Sequence, residues 1–305
     1  MTGSDTSSVP ARETLKERST YGLYAGAERL ARALPERGAR ILGAAIAAIA
    51  YWALPNMRAT VTANQAQVLG LQIDDPLVRI STREAFRLYV RYWFDTFRLR
   101  DMTREQVLDR MDATGLEHIQ AAIAGGKGAI AVLAHLGNWD AAGAWVFAEG
   151  VPVVSVAEEL RPSRLYELFV RHREALGMRI VPLSKDGKAG RELAGLLEEN
   201  YLVALVADRN LNARGVKVEM FGRARSLPAG PALLSITTGA PVLVCSVYTT
   251  KDGWRIVVEP PIAFERSGTL RNDVAALTGR IASRFEAAIM ANPADWHLFQ
   301  PAWEP

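Results

Sequence analysis

Six apolar residues in a row, Ala129-Ile130-Ala131-Val132-Leu133-Ala134, follow the breaker Gly125-Gly126-Lys127-Gly128 and end at a histidine, His135. A run of that length without polar alternation fits a strand covered on both faces, and such strands belong to parallel sheets sandwiched between helices. The downstream pattern agrees. Strands are predicted at 151–156, 179–182, 202–207, 216–220, 242–248 and 255–259, and helices at 163–176, 189–199, 229–238 and 270–291. This alternation defines an α/β fold with a mostly parallel mixed central sheet flanked by helices.

Upstream of residue 110 the signal is helical. Leu23, Ala27, Leu30 and Leu34 recur at helical spacing, and a long helix is predicted from Pro76 to Arg98, with Asp74-Asp75 as caps and proline just inside the start. Phe86, Val90, Trp93 and Phe97 fall on one side of it. Arg83, Arg87 and Arg91 line up beside them, either solvated and paired with Glu84 or Asp95, or available to phosphate. Between these segments Ile41 to Leu54 carries no charge. It is too short to span a bilayer, which takes roughly 20 apolar residues. Two readings remain open: a buried helix, or one lying in a membrane interface with Tyr51 and Trp52 near the headgroups. Residues 1–20 are polar, lack the apolar centre of a secretory signal and are expected to form a disordered tail. The expectation is one domain over 21–305, with a helical, membrane-associating region at 21–110 and an α/β core at 111–305.

Composition narrows the function classes. The single cysteine, Cys245, excludes an intramolecular disulfide, and with no charged neighbour to lower its pKa it reads as a packed thiol rather than a nucleophile. A net charge of +3 tolerates anionic lipid or phosphate. The basic residues are dispersed and no nucleic-acid-binding motif occurs, so nucleic acid is not an expected partner. Gly126-x-Gly128-x-x-Ala131 precedes a strand instead of opening a helix, which rejects it as a dinucleotide fingerprint. There is no phosphate-binding P-loop and no Gly-x-Ser-x-Gly elbow. His118, His172 and His297 lack companions at metal-ligand spacing, and no metal is expected. Trp296, Phe299 and Trp303 either pack on the sheet or lie against lipid.

Chemistry concentrates at His135-Leu136-Gly137-Asn138-Trp139-Asp140, where a buried strand ends and a helix begins. Sites in open α/β sheets collect at the carboxyl ends of strands. A carboxylate at Asp140 would accept from one ring nitrogen of His135 and leave the other facing a substrate, where it can take a proton from an alcohol attacking a thioester. The amides of the Gly137 to Trp139 turn are candidate donors to the resulting oxyanion. The pair alone is also compatible with a structural hydrogen bond at a helix start, with metal ligands in a hydrolase, or with a noncatalytic lipid-binding groove.

Further blocks accompany it: Val156-Ala157-Glu158-Glu159-Leu160, Arg171-His172-Arg173-Glu174-Ala175-Leu176-Gly177, Ala207-Asp208-Arg209-Asn210, Phe221-Gly222 and Leu227-Pro228-Ala229-Gly230-Pro231-Ala232. Together with the histidine motif they resemble the lipid A acyltransferase-like family of lysophospholipid acyltransferases, and most closely its actinobacterial phosphatidylinositol mannoside branch. The resemblance covers Gly115 to the C-terminus, with the N-terminal helices matching more loosely. It implies His135 as general base and Asp140 as its partner, with acyl-CoA or acyl carrier protein as donor and no covalent acyl-enzyme or further cofactor. In the mannoside branch it implies transfer of palmitoyl to a mannose hydroxyl of phosphatidylinositol mannosides. Glu158, Arg173, Asp208, Arg209 and Asn210 map onto the substrate groove; each also has a plain alternative as a local ion pair or turn residue. Asp208 stands where close relatives commonly carry glutamate. The expected setting is peripheral, on an anionic membrane surface at the cytoplasmic face of the plasma membrane, with an apolar channel for the acyl chain near His135. A lipid A type enzyme acting on another glycolipid is the nearest rival.

Overall fold

The structure, a computed structural model, describes residues 13–183, 187–210 and 215–303. Its N-terminal part is four helices. α1 (Leu15–Ala33) opens with a capping box in which Thr14 and Glu17 each bond the other's backbone amide. Residues 15–20 therefore belong to a helix, which corrects the tail expected over 1–20; residues 1–12 lie outside those described. α2 (Glu36–Ala53) is followed at once by α3 (Pro55–Leu69), and the two meet at a bend of 97°. Pro55 explains the break, because proline is accepted in the first turn of a new helix but not inside one. α4 (Pro76–Leu99) starts at Asp75, whose carboxylate accepts from the Leu77 amide at 2.7 Å. It packs against α1, α2 and α3.

Residues 41–54 lie in α2, which has one buried and one exposed face. Gly43, Ala47 and Tyr51 are buried, and Gly43 faces Val90 and Phe94 of α4. The opposite face leaves Ile41, Ile49 and Trp52 exposed by 74%, 67% and 68%. No single described helix is long and apolar enough to cross a membrane. On α4, Arg87 pairs with Glu84 and Arg91 with Asp95, the local pairing considered above, while Arg83 stacks over Tyr51 at 5.3 Å.

The remainder is the α/β core. It runs α5 (Arg104–Asp109), β1 (Met111–Thr114), α6 (Leu116–Ala124), β2 (Ala129–Leu133), α7 (Trp139–Ala148), β3 (Val153–Glu158), α8 (Ser163–Ala175) and β4 (Arg179–Leu183). It continues through α9 (Lys188–Glu198), β5 (Leu202–Val206), β6 (Val216–Met220), β7 (Arg223–Leu227), α10 (Gly230–Thr238), β8 (Val242–Thr249), β9 (Trp254–Val258) and α11 (Leu270–Ala291). Seven strands form one sheet in the order β1-β9-β8-β2-β5-β3-β4. The β8–β9 pairing is antiparallel and the others are parallel, so the sheet is mixed and mostly parallel, as predicted.

β2 lies in the middle, and its unbroken apolar run has a direct cause. Ile130 and Val132 join a cluster with Leu193 and Leu197 of α9 and Phe285 of α11, whereas Ala129, Ala131 and Leu133 pack with Trp145 of α7 and Ile119 of α6. Both faces are covered, so neither can be polar. The predicted strand at 216–220 exists, but it leaves the sheet to pair with β7 as a separate hairpin. Its two-residue turn is Phe221-Gly222, with φ of 54° and 71°, the positive values that match a turn to the twist of a hairpin.

Candidate active site

β2 delivers His135 at its carboxyl end, and Asn138 starts α7 by accepting from the Ala141 amide at 2.9 Å. The intervening turn requires glycine at 137. Its φ is +58°, and a Cβ there would lie 2.3 Å from the Val247 carbonyl oxygen of β8. On its other side the turn is held by a C-terminal segment. The His297 amide donates to the His135 carbonyl at 2.7 Å, the Gly137 amide donates to the Asp295 carbonyl at 3.0 Å, and Leu136 and Trp296 form an antiparallel bridge.

Nδ1 of His135 lies 2.5 Å from Oδ1 of Asp208. Strand register explains the meeting. β2 and β5 are parallel neighbours with Leu133 opposite Val206, so His135 and Asp208 each stand two residues beyond the last paired position. Asp208 is fully buried, and its Oδ2 accepts from the indole N–H of Trp296 at 2.7 Å. Its backbone carbonyl accepts from Arg225, whose guanidinium lies over the Trp296 ring at 5.2 Å. Burial opposes the charge on Asp208, but the His135 imidazole, with Arg225 and the Trp296 donor behind it, outweighs that and holds the carboxyl well below the usual carboxylate range. The His135 side chain remains 23% exposed. With Nδ1 committed to Asp208, Nε2 is the nitrogen left for a reactant.

Asp140 belongs to a different cluster. Its Oδ1 accepts from Nε of Arg173 at 2.6 Å and its Oδ2 from the Tyr92 hydroxyl of α4 at 2.9 Å. Burial disfavours its charge, and the adjacent Arg173 overcomes this and keeps the carboxyl below its ordinary value. The orientation of His135 by Asp140, expected from sequence, is thus corrected: Asp208 makes that bond. Asp140 sits in the first turn of α7, which directs its side chain toward α4 and α8.

The other predicted residues divide. Glu158, at the end of β3, pairs with Arg209 at 3.0 Å at an exposed rim. Asn210 donates to Ser226 of β7 at 2.9 Å. Arg173 is drawn into the Asp140 cluster. The Gly137 amide is already bonded to Asp295, which removes it from the candidate oxyanion donors and leaves those of Asn138 and Trp139.

Tyr92, Arg225 and Trp296 were missed by sequence reasoning. Trp296 lay in view as part of an aromatic segment, but its partner is 88 positions away and no local spacing marks the pair. Both Trp296 and Trp303 are buried against the α/β core rather than exposed to lipid, and Phe299 stacks on Tyr89 at 4.3 Å. The Cys245 thiol is buried and pushed up to about 12 by burial, consistent with a packing role. His297 is also buried, and desolvation, with His135 nearby, pushes it down to about 3, so it is neutral. A cavity of about 420 Å³ lies between α2, α4 and the turn after β8, lined by both charges, Arg40, Arg91, Asp95 and Lys251 among them. It opens on the face of α4 away from Tyr89 and Tyr92 and does not include His135.

The fold and site define an α/β protein with a mostly parallel mixed sheet, a histidine–carboxylate pair at the carboxyl edge of that sheet and a four-helix N-terminal region beside it. The chain belongs to the bacterial lipid A biosynthesis acyltransferase family, which it matches over residues 10–304. Among its relatives, the phosphatidylinositol mannoside acyltransferase of Mycolicibacterium smegmatis (strain ATCC 700084 / mc(2)155) is 38% identical over 284 residues, covering 92% of this chain and 90% of that one. The protein of the same name from Mycobacterium tuberculosis (strain CDC 1551 / Oshkosh) is 37% identical over 298 residues, covering 96% and 91%.

Proposed function

We propose that this acyltransferase moves a palmitoyl group from acyl-CoA to a mannose hydroxyl of phosphatidylinositol mannosides at a membrane surface. The supporting observation is the 2.5 Å contact between His135 and a buried, ionised Asp208, which leaves Nε2 as a base at the open end of the sheet. The acceptor rests on the names of the relatives.

In this reading Nε2 removes the hydroxyl proton as the oxygen attacks the thioester carbon. A C–O bond forms and the carbonyl becomes an oxyanion facing the amides of Asn138 and Trp139. Collapse breaks the C–S bond, and the departing thiolate takes the proton from the imidazolium, giving ester and free thiol. Asp208 stabilises the imidazolium in between. Glu158, Arg209 and Asn210 contact substrate from the rim, while Arg173 and Asp140 hold the floor beneath α7. The acyl chain occupies an apolar channel near His135.

The test is incubation of purified protein with radiolabelled palmitoyl-CoA and a panel of glycolipids, including phosphatidylinositol mannosides and lipid A precursors. Labelled mannoside ester, formed equally in chelator, is the expected outcome. Transfer only to lipid A precursors would reassign the acceptor. Loss of activity in chelator would favour a metal-dependent enzyme, and no thioester consumption with any lipid would favour a lipid-binding protein.

The same reading puts the protein on the cytoplasmic face of the membrane through the outer face of α2. Ile41, Ile49 and Trp52 supply apolar side chains, and Arg58 lies over the Trp52 ring at 5.5 Å, where it can meet anionic headgroups. Ile49→Glu with Trp52→Glu should reduce sedimentation with anionic liposomes by at least about tenfold without changing the melting temperature. Unchanged liposome binding by the folded variant would overturn this docking face.

A further inference from the structure

The C-terminal segment does more than cover the sheet. Trp296 is 1% exposed, yet its indole N–H is spent on a single atom, Oδ2 of Asp208, at 2.7 Å. The backbone on either side of it grips the catalytic turn, through the His297 amide to the His135 carbonyl and the Asp295 carbonyl to the Gly137 amide. One short segment therefore touches both members of the His135–Asp208 pair, the histidine by its backbone and the aspartate by a side chain.

We propose that Trp296 is the positioning residue of this pair: its N–H occupies one carboxylate oxygen so that the other is presented to Nδ1 of His135. The physical argument is rotational. A buried aspartate turns about its terminal torsion with a broad, two-fold preference, so a fixed donor on one oxygen is what selects the orientation that serves histidine. Arg225 supports the indole from its face and bonds the Asp208 carbonyl, so the carboxylate is held from its own backbone and from its far oxygen. Trp303 flanks the same guanidinium at 5.9 Å. Trp296 touches no reacting atom; it acts through Asp208.

This inference rests on His135 being the base proposed above, and its test separates the two. Trp296→Phe removes the donor and keeps an aromatic ring in place. The first readout needs no substrate: the far-downfield proton shared by His135 and Asp208 in the NMR spectrum of the full chain, assigned by its loss in His135→Gln. In Trp296→Phe that signal is expected to move upfield or vanish by exchange. The second readout is transfer kinetics, with kcat expected to fall about tenfold to a hundredfold, the range of a hydrogen bond to a charged group, and KM for the thioester unchanged. The third is a double-mutant cycle. In an Asp208→Asn background Trp296→Phe should cost little more, because the group it positions is already lost.

An unchanged proton signal and unchanged kcat in a folded Trp296→Phe variant would overturn the proposal, as would fully additive losses in the cycle. Should phenylalanine not fold, benzothienylalanine at 296 retains the bicyclic shape without the N–H and faces the same outcomes. If His135 is not the base, the NMR change persists while transfer is indifferent to both substitutions, which sinks the catalytic reading and leaves the positioning intact.

Discussion

His135→Ala is expected to lower acyl transfer by about 10²- to 10⁴-fold, the usual contribution of a general base, with the fold unchanged. The fold should be retained because the links from this position to the C-terminal segment use the His135 backbone, which alanine keeps, while the melting temperature should fall, since buried Asp208 loses the imidazole that favours its charge. Initial rates with labelled palmitoyl-CoA beside a thermal melt check both halves. Near-normal turnover in a folded variant would end the proposed mechanism. Asp208→Asn should give a loss of similar kind, concentrated in kcat, since the amide cannot stabilise an imidazolium as a carboxylate does.

Arg173→Ala should be the most damaging substitution for stability, by about 3–5 kcal/mol, because it strands a buried carboxylate without its cation. The sign of its pH dependence follows from the ion pair. In the native protein Asp140 titrates below its ordinary value, so its contribution to stability is present above the unfolded carboxyl pKa and is lost as pH falls through the folded one. Without Arg173 burial meets only the smaller opposing effects of His172 and the Tyr92 hydroxyl, and that pKa rises. The gap between variant and wild type should therefore be widest near neutral pH and narrow toward pH about 4. Urea unfolding at several pH values measures it; a gap under about 1 kcal/mol at neutral pH would mean that Asp140 does not depend on Arg173.

These two predictions give Asp208 the work at His135 that sequence spacing had assigned to Asp140. His135 and Asp140 are separated by one turn, and local chemistry alone makes them partners. Asp208 is 73 positions from His135, and nothing between them in sequence reports that β2 and β5 are adjacent. The same holds for Tyr92, which reaches Asp140 from α4 across 48 positions. Conversely, most element locations were legible. The strands at 202–206 and 242–249 and the helices at 163–175 and 270–291 lie within a residue or so of expectation. The elements not predicted include short ones, α5, α6, β7 and β1, the last with four residues and one of them buried, and α3, whose apolar pattern is weak.

The α/β class, the position of His135 at a strand end and the apolar stretch of α2 came from sequence by itself, because burial on both faces, helical periodicity and missing charge are written in local composition. Which carboxylate serves His135, which face of α2 stays exposed and where the C-terminal tryptophan binds were decided only by tertiary structure. Strand order and register bring residues together that share no neighbourhood in the chain. Such long-range pairings come from the packing of the whole sheet, not from the propensity of any one segment.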